Sequence, residues 1–151
     1  MLLLFFNIPF KISMNYDAIE IEMDDPTYCL ERTIAVSGYY HFNLFSESKF
    51  TGNIWITGYE CWTDGREMMP IPIVGEVSLF YEVAASEPPD QLYLGRLYRE
   101  FGFRNMMIGY VLEEDGKAKD TSSCRVIVAN AASREEAFSI AQKNFWSEEV
   151  S

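Results

Sequence analysis

From Thr33 to Ala129, short runs of aromatic and β-branched residues alternate with clusters of turn formers. That alternation restricts the chain to a sheet of short strands. The runs predict strands over 33–40, 49–57, 75–83, 91–99, 105–113 and 123–129. Asp64-Gly65 and Asp115-Gly116 supply the positive φ of tight turns, and "SEPPD" (86–90) and "PIP" (70–72) cannot donate hydrogen bonds inside a sheet. Short connections between successive strands predict an antiparallel meander over 33–129. Aromatic residues make up 15% of the chain, which suits a pleated surface.

The strand faces predict how the sheet is covered. Over 49–57, Phe50, Ile54 and Ile56 point one way and Thr51, Asn53, Trp55 and Thr57 the other. Over 75–83, Val77, Leu79, Tyr81 and Val83 oppose Glu76, Ser78, Phe80 and Glu82. These strands have one dry face. "QLYLGRLY" and "NMMIGYVL" are apolar on both faces and call for cover on both sides. A terminal helix over 133–146 is the natural second cover. In "SREEAFSIAQKNF", Ser133 is an N-cap and Glu136 completes a capping box, while Ala137, Ile140, Ala141 and Phe145 share one side. The expected fold is therefore mainly β (α+β). It is an antiparallel curved sheet, or a partly closed barrel or sandwich, of six to eight strands with one C-terminal helix packed on it.

At 151 residues the chain predicts a single domain. Its opening, "MLLLFFNIPF", carries no charge. A signal peptide wants a basic n-region and a small-residue cleavage site, and a spanning helix wants about 20 apolar residues. Neither pattern is met. Two readings of the apolar segment 1–12 remain, a strand covering the sheet or the remnant of a membrane anchor. "NYDAIEIEMDDP" after it reads as a polar connector with a short strand at 18–23.

The net charge of −11 repels phosphate backbones and anionic lipid, so nucleic acid is not an expected partner. Cys29, Cys61 and Cys124 form no C-x-x-C pair, which disfavours a zinc site, and their odd number leaves at least one thiol free in a monomer. Any disulfide pairing is open, and three small buried hydrophobes are the plainer account. His41 is the single histidine, so every triad or His-based acid/base scheme must use that ring. No G-x-S-x-G, P-loop or G-x-G-x-x-G occurs. "EEDGKAKD" (113–120) places lysines where a calcium loop needs oxygen ligands and reads as a solvated hairpin. No catalytic residue, metal ligand or cofactor is expected.

Two constellations stand above this background. "LGRLYREFGFR" gathers Arg96, Arg99 and Arg104 around aromatics, a pattern that could clamp a carboxylate; surface pairing with the many acids is the plainer account. "WITGYECWTDGRE" sets Trp55 on a polar strand face, with Tyr59, Trp62 and Arg66 about the Asp64-Gly65 turn. Aromatics and arginine so placed anchor interfaces, unless they only seal the core.

"RTIAVSGYYHFNLFSESKFTGNIWITGYE" (32–60), "YLGRLY" (93–98) and "NAASREEAFSIAQKNF" (130–145) together resemble a group of small uncharacterised proteins of Firmicutes. That group combines an N-terminal membrane segment, a G-x-Y strand, a G-x-I strand followed by GY, and a closing REEA helix. The resemblance implies a β-rich domain outside the cytoplasm, tethered to a bacterial membrane. Its motifs are structural and carry over no active-site residue. The expectation is a non-enzymatic interaction domain at the cell envelope with an unidentified protein partner. The alternatives are a cytoplasmic, partner-neutralising protein of the immunity type, steered by its charge to a basic target, and a β-barrel holding a small apolar ligand.

Overall fold

The computed structural model describes residues 9–23, 25–43, 48–60, 66–72, 75–82, 91–99, 105–109 and 125–145. They form strands β1 (Pro9–Glu22), β2 (Asp25–His41), β3 (Lys49–Ile56), β4 (Glu67–Met68), β5 (Ile71–Pro72), β6 (Gly75–Glu82), β7 (Gln91–Arg99), β8 (Met106–Gly109) and β9 (Arg125–Ala129), followed by helix α1 (Arg134–Phe145). All the strands belong to one antiparallel sheet, in the order β4-β6-β7-β8-β9-β1-β2-β3-β5. The fold is mainly β with one C-terminal helix, as expected. The tight turns expected at 64–65 and 115–116, the "SEPPD" stretch, residues 1–8 and most of the 105–113 strand beyond Gly109 lie outside the described residues.

The connector expected over 15–26 is instead the central stave of the sheet. β1 pairs with β2 along its whole length and with β9 over Ala18–Glu22. Its apolar residues alternate with polar ones from Phe10 to Ala18, and the pattern breaks only where the helix covers the outer face at Ile19 and Ile21. Tyr16, Ala18 and Glu20 point into the barrel, while Ile19 and Ile21 lie under the helix. The acids that looked solvated, Glu20 and Glu22, are buried against arginines. The meander is accordingly wider than 33–129, since β9 returns to pair with the first strand.

Curling brings the free edges of β3 and β6 together, and strand parity decides how they meet. Seven full strands separate those edges, each antiparallel to its neighbour, so β3 and β6 run in the same direction. The segment 67–72 runs against both and fills the gap between them. Its first half pairs with β6 (Glu67 opposite Glu82, Met68 opposite Tyr81) and its second half with β3 (Phe50 opposite Ile71, Lys49 opposite Pro72). Pro70 and Pro72 lack the N–H needed to continue either ladder. Side chains complete the seam: the Met68 amide donates to Asn53 Oδ1 at 3.2 Å, and the Tyr81 hydroxyl of β6 donates to the Ile54 carbonyl of β3 at 2.8 Å. The result is a partly closed barrel with an interrupted stave at its seam.

The interior is filled by inward side chains, among them Ile34, Val36, Phe50, Ile54, Leu79, Tyr81, Leu94, Leu97 and Ile108. Gly38 and Gly52 face each other across the β2–β3 pair at a sharp bend. A Cβ on Gly38 would lie 2.2 Å from the Thr51 carbonyl oxygen, so only glycine permits this approach. Phe50 occupies the space beside the pair and meets Tyr40 edge-to-face at 5.7 Å. Outside the barrel, α1 lays Ala137 and Ala141 against Ile19, Ile21, Val126 and Val128. Its start is capped as expected: the Glu136 amide donates to Ser133 Oγ at 3.2 Å, and Glu136 Oε2 accepts from the Ala132 amide at 3.1 Å.

Two substitutions test this frame through urea midpoints. Ser133→Ala removes the cap and should cost about 1 kcal/mol. Gly38→Ala drives a methyl into backbone atoms that cannot move aside and should cost more, roughly 1–3 kcal/mol. Equal midpoints for Gly38→Ala and the parent protein would contradict the β2–β3 approach.

Candidate functional site

The described surface offers two places where polar chemistry is concentrated. The first lies inside one end of the barrel. Glu20 is fully buried and its two oxygens are both occupied. Oε1 accepts a short hydrogen bond from the Tyr59 hydroxyl, and Oε2 accepts from the Tyr28 hydroxyl at 2.5 Å with Arg32 at 3.4 Å. Glu22, one inward position along β1, binds Arg125 at 2.9 Å. Arg32 stacks over the Tyr59 ring and Arg125 over the Tyr28 ring. Two carboxylates, two guanidiniums and two phenols thus interlock, and both Glu20 oxygens are engaged. Burial, then the adjoining Glu20 carboxylate, pushes the phenols of Tyr28 and Tyr59 well above the ordinary tyrosine range. With its oxygens engaged by neighbours, this cluster is a structural plug and not an open reaction centre.

The second place is the outer face of β1, β2 and β3. Alternation turns the odd-numbered residues outward, and the register sets them in cross-strand rows. Asn15, Ala35 and Trp55 form one row, Ser13, Ser37 and Asn53 the next, and Lys11, Tyr39 and Thr51 a third. The helix covers only the other end of β1, so among the described residues nothing lies over this face. Trp55 and Tyr39 stand on it 37% and 46% exposed among small polar side chains. His41 ends the face, its Nε2 2.8 Å from Thr51 Oγ1, in the bland role a strand-end histidine suggests.

Two grooves flank Trp55. One, of about 400 Å³, follows the seam where β3 and the interrupted stave lack ladder bonds, and is bordered by Thr51, Asn53, Glu67, Met69, Pro70 and Glu82. The other, of about 570 Å³, is bordered by Asp17, Glu31, Arg32, Thr33, Thr57 and the chain at Ala131-Ala132. Among the described residues no group of three or more His, Cys, Asp or Glu could hold a metal ion.

The residues singled out from the sequence are distributed unevenly over this architecture. Trp55 is on the open face as expected. Tyr59 is not: it is fully buried. Gly58, at φ 88°, reverses the chain after β3, and the phenol turns in to reach Glu20. Arg66 is half-buried beside the start of β4, and Trp62 lies outside the described residues. Arg96 and Arg99 do not form one patch. Arg96 is exposed, whereas Arg99 is buried inside the barrel, where desolvation pulls its guanidinium down to about 10. Arg104 lies outside the described residues. Cys29 is an exposed free thiol, so it is not one of the expected small buried hydrophobes; Cys61 and Cys124 lie outside the described residues. The sequence reading missed Tyr39 on the open face, and the Glu20 network entirely. Cross-strand register is the signal that assembles both.

No protein-family model, curated protein or solved structure matches this chain.

The buried phenols link the stability of the fold to alkaline pH. The phenols of Tyr28, Tyr59 and Tyr81 are all raised in the folded state, mainly by burial, from an ordinary value of 10.0. A raised folded value means that the folded chain holds these protons more tightly than the unfolded chain. Their contribution is fully present below about pH 10 and is lost as the pH climbs from there toward the folded values. Phenolate absorbance of these buried rings should therefore rise together with unfolding. In Tyr59→Phe the alkaline loss of stability should be shallower than in the parent chain.

Proposed function

We propose that this chain is an interaction domain that engages a protein partner through the outer face of β1, β2 and β3. The observation that carries this reading is the exposure of Trp55 and Tyr39 on a sheet face that none of the described residues covers. Trp and Tyr desolvate large areas at small entropic cost, which is why they dominate interface energetics. The surrounding Ser, Thr, Asn and Ala side chains keep the surface flat enough for close approach. The interior, in contrast, is packed with side chains. The Arg96, Arg99 and Arg104 stretch contributes less to the reading, because Arg99 is buried. Work at the envelope of a bacterial cell is the setting this proposal takes from the apolar opening and the family resemblance. No helix among the described residues is long and apolar enough to cross a membrane.

Mutation separates an interface ring from a core ring. Trp55→Ala should leave stability within about 0.5 kcal/mol of the parent and abolish partner capture. Tyr81→Ala, which empties a fully buried site, should cost roughly 3–5 kcal/mol. Affinity capture with parent and Trp55→Ala proteins, compared by mass spectrometry, is the measurement. Recovery of the same proteins by both would overturn the proposal.

A further inference from the structure

The outer face carries a charge pattern that its aromatics do not explain. Glu67 and Glu82 sit directly opposite each other in the β4–β6 ladder, a like-charge pairing that lowers stability, and both border the seam groove. Asp17 and Glu31 border the second groove. None of the four carboxylates has an ion-pair partner among the described residues. Arg32 also lines the second groove, but its guanidinium is directed to Glu20.

The spacing is that of an extended chain. Asn53 in the first groove and Trp55 lie on the outer side of β3, and Thr57 in the second groove follows just past its end, two residues apart each time. Asn53 and Thr57 are therefore roughly 13 Å apart along the strand direction, and the carboxylates stand to either side of that line, Glu67 and Glu82 across the seam and Asp17 and Glu31 on β1 and β2. A peptide in extended conformation presents its i, i+2 and i+4 side chains at that same interval.

We propose that this face receives a basic, extended segment of a protein partner. Cationic side chains at i and i+4 enter the two acidic grooves, and the i+2 side chain covers Trp55. A guanidinium suits each position, since it pairs with carboxylates in the grooves and stacks on the indole between them. The net charge of −11 steers a basic partner in and opposes pairing with a second copy of this chain. The inference rests on the interaction-domain reading above and specifies the chemistry of the partner.

The test is binding of the peptide Arg-Gly-Arg-Gly-Arg, by calorimetry at low and at physiological salt, with Arg-Arg-Arg-Gly-Gly as the spacing control. The alternating peptide should bind more tightly than the block peptide and weaken as salt rises. Asp17→Asn and Glu67→Gln should each weaken it by roughly fivefold. Glu135→Gln, which removes the same charge from the exposed side of the helix, should not change it. Glu67→Gln should also raise the thermal midpoint by relieving the opposed pair. Absence of binding, equal affinity for the two peptides, or equal weakening by all three substitutions would overturn the proposal. A Trp55-dependent capture of a non-basic partner or a glycan would overturn the basic chemistry alone. Capture indifferent to Trp55→Ala would overturn the interaction reading beneath it.

Discussion

The double pairing of β1 is the constraint on which the rest of this fold depends. By bonding β2 on one edge and β9 on the other, the first strand joins the N-terminal hairpin to the last strand of the meander. A flat sheet could satisfy that pairing only by leaving β3 and β6 as two distant open edges. Curling brings both edges together, which shortens the exposed rows of backbone groups that invite aggregation. The parity of the strands then forces the two edges to run the same way. Parallel neighbours cannot be joined by a tight hairpin, and the chain resolves this by inserting 67–72 against both. The prolines of that segment leave the closure incomplete. The groove beside Asn53 is a direct consequence, since it is the volume where ladder bonds are missing.

The buried plug follows from the same constraint. Because Glu20 and Glu22 point into the barrel end, they cannot reach water, and each must find a cation or a hydroxyl there. Leaving one of them alone would cost several kcal/mol. Pairing Glu20 and Glu22 with Arg32 and Arg125 specifies the register of β1 against β2 and β9, because a one-residue slip would turn these groups outward and drive Ile19 and Ile21 inward. Tyr59 closes the network from a third direction and fixes the path of the chain beyond β3. Arg134 adds a bond to the β1–β2 turn, donating to the Asp25 carbonyl at 3.2 Å, so the start of the helix is held to the same end. Specificity of pairing, more than net stability, is what such a cluster contributes.

What could be read from the sequence divides along this line. The strands β3, β6, β7 and β9 have local signatures, and so does the helix with its cap, because one dry face or one capping residue leaves a mark within a few positions. Trp55 was legible for the same reason, as a large ring on the polar side of an alternating strand. β1 was legible only as a short strand at 18–23, because its outer face turns from polar to apolar where the helix covers Ile19 and Ile21, and its buried acids imitate a solvated connector. The burial of Tyr59 was equally hidden. It depends on Glu20, 39 positions away in sequence, and on a glycine reversal whose direction is set by the barrel and not by its neighbours. Arg96 and Arg99 looked like one patch in a linear window, yet strand geometry sends them to opposite faces.

The open face draws its character from standing between the best-bonded and the least-bonded parts of the sheet. Its floor is the β1–β2–β3 ladder, where β1 and β2 pair along the full length of β1 and Gly38 and Gly52 lock the bend. One wall is the seam, where the Asn53 side chain and the Tyr81 hydroxyl bridge β3 to the facing segments. Rigid floors hold aromatic anchors in place without further loss of entropy on binding, and that favours affinity. Weakly laddered walls can shift by small amounts at low cost, because few backbone bonds must break. The Tyr81 hydroxyl therefore has two consequences from one bond. It satisfies a phenol buried in the core, and it sets how far β6, with Glu82 on its outer side, stands from β3. Core packing and groove width thus share a contact, and a change in the barrel interior at Tyr81 reaches the surface through it.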